Sequence, residues 1–159
     1  MIDNKNKILQ AERAVLVGVI QKDQTEAQVN EYLDELAFLA ETAGAVTIHR
    51  FTQKLAHPDS RHFVGKGKLE EIKQYVLAKD IRVLIFDDEL TPAQQRNWEK
   101  DSLGLHAIDR QEVILDIFVS RAKTKEAVLQ VELAKLQQQL PRLKRLWSHL
   151  DRQRGGGAM

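Results

Sequence analysis

The chain has no cysteine. That excludes disulfides, thiolate chemistry and cysteine-ligated zinc, and it fits a cytosolic protein. No stretch approaches the roughly 20 apolar residues that a membrane-spanning helix needs. The opening run MIDNKNKILQAER is polar and lacks the apolar centre of a signal peptide. A cytoplasmic location is therefore expected. The histidines, His49, His57, His62, His106 and His149, are scattered, with no ligand pair at i, i+4, so no metal site is expected. Ser60, Ser102, Ser120 and Ser148 sit in no nucleophile-elbow pattern, nothing resembles a hydrolytic triad, and no catalytic residue is expected.

What is present suits a globular protein. Hydrophobic residues make up 43% and charged residues 30% of 159 positions, which argues against a mostly disordered chain. A chain of this size can bury a sizeable core without metal or disulfide. The formal net charge of +1 hides an asymmetry: residues 1–120 hold 15 Lys and Arg against 20 Asp and Glu, whereas residues 121–159 hold 9 against 3. A basic tail on an acidic body implies a polyanionic partner, or else a solvated helix surface.

The first 110 residues alternate between β-rich runs and helical spacing. Ala14–Ile20 is a continuous apolar run, as expected of a strand buried on both faces. Thr25 and Gln28 form a T-x-x-Q capping box, and Val29, Leu33, Leu36 and Ala40 follow at helical spacing up to a cap at Gly44. Ala45–Phe51, Arg82–Phe86 and Leu105–Ile108 read as further strands. A helix carrying Leu69, Ile72 and Val76 lies between the second and third. Another, opened by Thr91 and Pro92 with a second capping box at Gln94, precedes the fourth. The β-α-β-α-β-α-β pattern predicts an α/β fold with a small four-stranded parallel sheet, order 2-1-3-4.

From Gln111 the character changes. Leu129, Leu133, Leu136, Leu140, Leu143, Trp147 and Leu150 recur at alternating spacings of four and three, a heptad seam on a long basic helix with a kink expected at Pro141. Each seam residue contributes roughly 1.5–3 kcal/mol when buried, more than a small sheet unit can cover along so long a helix. The helix is thus read as half of a helical hairpin whose second helix lies beyond Met159, in a truncated protein. A homodimer pairing two Leu129–Leu150 seams is the alternative. The expected division is 1–110 for the α/β subdomain, 111–154 for the helical subdomain and 155–159 for the start of a glycine-rich loop.

Three stretches carry candidate chemistry. Gly65, Lys66, Gly67 and Lys68 precede a helix and are candidate nucleotide-binding residues. They are not a Walker A loop, because no glycine stands five residues before Gly67-Lys68 and Leu69 replaces the hydroxyl residue; a glycine turn with surface lysines is the other reading. Asp87, Asp88 and Glu89 follow the third strand, where ligands of parallel sheets bind, although Asp88 and Glu89 equally suit the dipole of the next helix. In Pro141–Gly157 the residues Arg142, Lys144, Arg145, His149, Arg152 and Arg154 cover a helix end that runs into Gly155, Gly156 and Gly157. Arginines read phosphate bidentately and stack on bases, and glycines let a backbone approach closely. These nine are the candidate nucleic-acid-binding residues; a solvated helix end with a linker is the alternative.

Several of these runs, in this order, resemble one family. Phe63–Ile72 resembles the glycine-lysine segment of HflX-type GTPases. Asp87–Asn97 is similar to their DELSPAQQRN stretch. Ile108-Asp109-Arg110, Ile114–Phe118, Leu129–Ala134, Gln139–Leu143 and Trp147–Leu150 are similar to the segments that follow, and Gly155–Gly157 to the start of their glycine-rich loop. Gln111 departs, standing where threonine is expected. The resemblance implies an N-terminal α/β subdomain, an antiparallel two-helix hairpin and then a GTPase domain, in a protein that binds the 50S ribosomal subunit and splits or rescues ribosomes. It places Arg152–Gly157 against 23S rRNA. It implies GTP and Mg2+ for a GTPase domain whose motifs these 159 residues lack, so this chain alone is not expected to be catalytic. It also brings ATP as a candidate ligand of the N-terminal region, against which the missing phosphate-loop pattern counts.

Overall fold

The computed structural model describes residues 8–101, 104–121, 130–135 and 137–138 of the chain. Its contacts divide into a unit spanning Met1–Ser120 and a unit spanning Arg121–Met159.

The first unit runs β1 (Arg13–Ile20), α1 (Glu26–Thr42), β2 (Val46–Lys54), α2 (Lys66–Lys79), β3 (Val83–Phe86), α3 (Pro92–Asp101), β4 (His106–Asp109) and α4 (Arg110–Arg121). The strands form one sheet of order β2-β1-β3-β4, and each neighbouring pair is parallel. The α/β class, the alternation and the 2-1-3-4 order are those the sequence predicts. Strand β2 runs three residues past the expected Phe51, because Thr52, Gln53 and Lys54 stay in register with Gly18, Val19 and Ile20.

Alternation along the strands splits the interior in two. Val15, Val17 and Val19 of β1 join Leu69, Ile72 and Val76 of α2 and Trp98 of α3 in one core. Ala14, Leu16 and Ile20 join Val29, Leu33, Leu36 and Ala40 of α1 and Val113 of α4 in the other. Helices thus cover both faces, which explains why β1 is apolar throughout. Gly18 faces α1: a Cβ there would lie 3.2 Å from both Leu33 Cδ1 and Val29 Cγ1, so its bare backbone is what lets helix and strand approach. Val113 is fully buried and Ile117 packs against the same core. Helix α4 therefore packs with the sheet, within the unit that spans Met1–Ser120.

Both predicted capping boxes form. Thr25 Oγ1 accepts the N–H of Gln28 at 3.1 Å while Gln28 Oε1 accepts the N–H of Thr25 at 2.9 Å. Thr91 and Gln94 make the same pair at 3.1 and 2.8 Å. Gly44 follows the α1 cap residue Ala43 with φ of 99°, a left-handed conformation in which glycine is unstrained.

In the second unit, residues 130–135 and 137–138 are helical. Leu133 of the seam is 59% exposed. Leu129, Leu136, Leu140, Pro141, Leu143, Trp147 and Leu150 lie outside the described residues.

Candidate functional site

In the order β2-β1-β3-β4 the chain reverses direction at β1: α1 leads to one side of it and α2 to the other. The loops after β1 and β3 therefore diverge and leave a crevice at the carboxyl edge of the sheet, the usual ligand position in such folds. A cleft of about 320 Å³ occupies this place, lined by Val19, Gln24, Tyr32, Glu35, Asp87, Asp88 and Arg110.

Arg110 organises it. As the first residue of α4, it donates from Nη2 to Asp87 Oδ1 at 2.7 Å and to the Tyr32 carbonyl at 2.8 Å. Its Nη1 lies 3.4 Å from Glu35 Oε1. One guanidinium thus ties β3, α1 and α4 together. The Asp87 side chain is 15% exposed. Burial pushes its carboxyl above the ordinary 3.8, and the hydrogen bond and charge of Arg110 pull it back only in part. Asp88 turns elsewhere, accepting from Gln21 Nε2 at 3.0 Å and from the Glu89 N–H at 3.2 Å. Below the cleft, buried Asp109 accepts the N–H of Leu90 and the N–H of Glu112, each at 3.1 Å, which fixes the β3–α3 loop and caps α4.

Three carboxylates and one guanidinium line this cleft, a balance of charge that disfavours a polyphosphate. No group of three or more candidate metal ligands is present among the described residues.

Gly65, Lys66, Gly67 and Lys68 lie elsewhere. Gly65 is the N-cap of α2, without a side-chain cap bond, and Lys66, Gly67 and Lys68 form its first turn. Lys68 is paired with Glu71 at 3.2 Å. None of the four lines the cleft holding Asp87 and Asp88, so the structure does not join the two halves of a nucleotide site built from both.

The turn before α2 is held more tightly than its sequence indicates. Asp59 and Phe63 exchange backbone hydrogen bonds of 3.0 and 2.9 Å, and Asp59 Oδ1 accepts the N–H groups of Arg61 and His62 at 2.8 and 3.3 Å. Helix α3 then grips the carbonyls: Gln94 Nε2 donates to Asp59 O at 2.7 Å, Asn97 Nδ2 to Arg61 O at 2.9 Å and Trp98 Nε1 to His62 O at 2.8 Å. Gln94, a cap residue by its spacing from Thr91, thus has a second role in the fold. The signal for the grip was three donors at positions 94, 97 and 98, one face of a helix.

Arg142, Lys144, Arg145, His149, Arg152, Arg154, Gly155, Gly156 and Gly157 lie outside the described residues.

Residues 30–119 match the family described as GTP-binding GTPase N-terminal, and residues 121–159 match GTP-binding GTPase Middle Region. The chain is 48% identical to the GTPase HflX of Flavobacterium psychrophilum over 148 residues, 93% of this chain and 36% of that protein. It is 43% identical to the GTPase HflX of Escherichia coli over 145 residues, 91% of this chain and 33% of that protein. It thus spans about a third of the length of these curated relatives. A GTP-binding protein of the archaeon Sulfolobus solfataricus, solved in complex with GDP, is 26% identical with a TM-score of 0.60, over 91% of this chain and 42% of that one. The match of the N-terminal model over residues 30–119, continued by the middle-region model, means that the chain belongs to the HflX-type GTPase family and carries its N-terminal and middle regions.

Proposed function

We propose that this chain is the ribosome-docking part of an HflX-type GTPase. It binds the 50S subunit through 23S rRNA, in a cytoplasmic protein that splits or rescues ribosomes at the expense of GTP. The observation that carries the reading is the segregation of charge, with 9 basic against 3 acidic residues in 121–159 and an acidic majority before them. Arg142, Lys144, Arg145, His149, Arg152 and Arg154 would neutralise phosphates, and Gly155, Gly156 and Gly157 would let the backbone lie close to the RNA. The chain spans 36% of the length of its Flavobacterium psychrophilum relative; on this reading a second hairpin helix and a GTPase domain, with GTP and Mg2+, would complete the whole protein. The acidic lining of the switch-point cleft supports placing nucleotide chemistry there rather than in the α/β unit.

Co-sedimentation with purified 50S subunits tests this. The triple variant Arg142→Ala, Arg145→Ala, Arg152→Ala removes three phosphate contacts and is expected to weaken binding at least tenfold at moderate salt, with the melting temperature unchanged. Undiminished binding by the variant removes these residues from the interface.

A further inference from the structure

The first unit is acidic overall, yet residues 54–68 run against that sign, with Lys54, Arg61, Lys66 and Lys68 facing a single carboxylate, Asp59. That carboxylate is exposed, and its Oδ1 accepts the N–H groups of Arg61 and His62, so one negative charge offsets only part of the four positive ones. The stretch is also a closed loop. Gln53 Oε1 accepts the N–H of Gly65 at 2.8 Å, which draws the Lys54 end to the Lys66 end, and α3 clamps the middle through Gln94, Asn97 and Trp98. Phe63 is held at φ of 72° with 1% exposure, a strained conformation for a bulky residue that persists only where the surroundings impose it.

What this rigid loop presents is charge. Lys54, His57, Arg61 and Lys66 are exposed, and among the described residues neither Arg61 nor Lys66 is in an ion pair. None of the exposed large hydrophobic residues among those described lies in 54–68. A protein partner needs apolar or aromatic anchors; a phosphate backbone needs cations on a surface that loses little freedom on binding.

We infer that the clamped loop is a second RNA contact, on the α/β unit, in which Lys54, Arg61 and Lys66 take phosphates of folded ribosomal RNA. This rests on the ribosome-docking reading and adds a contact separate in sequence from the basic stretch at 142–154.

The test is the salt dependence of binding by the whole chain and by its Arg61→Ala, Lys66→Ala double variant, to intact 50S subunits and to protein-free 23S rRNA. Both side chains are exposed, so the variant should melt like the parent. Two lost phosphate contacts should make the log–log slope shallower by roughly 1.5 on both partners. A variant with the parent's slope and affinity overturns the loop contact and leaves the docking reading standing. A variant impaired on subunits but normal on free rRNA shows that the loop meets a ribosomal protein, and also overturns it. A parent chain that binds neither partner sinks both readings.

Discussion

At Gly18 the space for one side chain decides whether α1 can lie against β1. Valine suits a buried strand, with a propensity gain of up to about 1 kcal/mol. Its methyls, however, would enter space already within 3.2 Å of Leu33 and Val29, and overpacking costs about 1–3 kcal/mol. The steric term should win: Gly18→Val should lower the urea midpoint without changing the slope, and a variant as stable as the parent would show the helix free to shift. Asp87 makes a prediction of a different kind. Its carboxyl sits above the ordinary 3.8 in the folded chain, so the folded state holds that proton more tightly than the unfolded state. The stabilisation is complete below about pH 3.8 and is lost as pH rises through the folded value. The stability difference between parent and Asp87→Asn should therefore move against the parent between pH 3.5 and 7 in urea titrations. A constant or widening advantage for the parent means that the Arg110 pairing outweighs burial.

Among the elements, the two capping boxes show what sequence can and cannot reveal. Thr25–Gln28 and Thr91–Gln94 read identically, and both form the expected local bonds. They differ in what the glutamine does next. Gln28 is exposed, whereas Gln94 is 4% exposed and carries its amide to Asp59, 35 residues back. The Asp59 carbonyl accepts from both the Gln94 amide and the Phe63 N–H, so losing the amide removes one hydrogen bond of about 0.5–1.5 kcal/mol. Gln94→Ala should thus destabilise more than Gln28→Ala by about 0.5–1.5 kcal/mol, and it should speed amide exchange at Phe63, whose N–H bonds Asp59 O. Equal costs would mean that the grip of α3 on the turn contributes nothing. The strands, the sheet order and the helix starts were legible because periodicity and caps are local. The grip of α3 and the role of Arg110 were not. Arg110 reaches Tyr32 and Glu35, 78 and 75 residues upstream, and only the crossing of β3, α1 and α4 brings them together.

For the whole molecule, the fold explains how one small sheet combines two electrostatic characters. Its carboxyl edge holds an acidic cleft around Arg110, its α2 side carries a clamped cationic loop, and the basic excess lies in the second unit. Gly65–Lys68 looked in sequence like half of a phosphate cradle. In the fold it is a helix start away from the Asp87 cleft, because α2 covers the opposite face of the sheet from α1 and α4, which line that cleft. The central claim is that the chain meets folded RNA through phosphate neutralisation, and the direct measurement is its affinity for 50S subunits across a salt series. Neutralising about six phosphates predicts a log–log slope of roughly −4 to −5. Affinity that stays constant as salt rises would contradict the account.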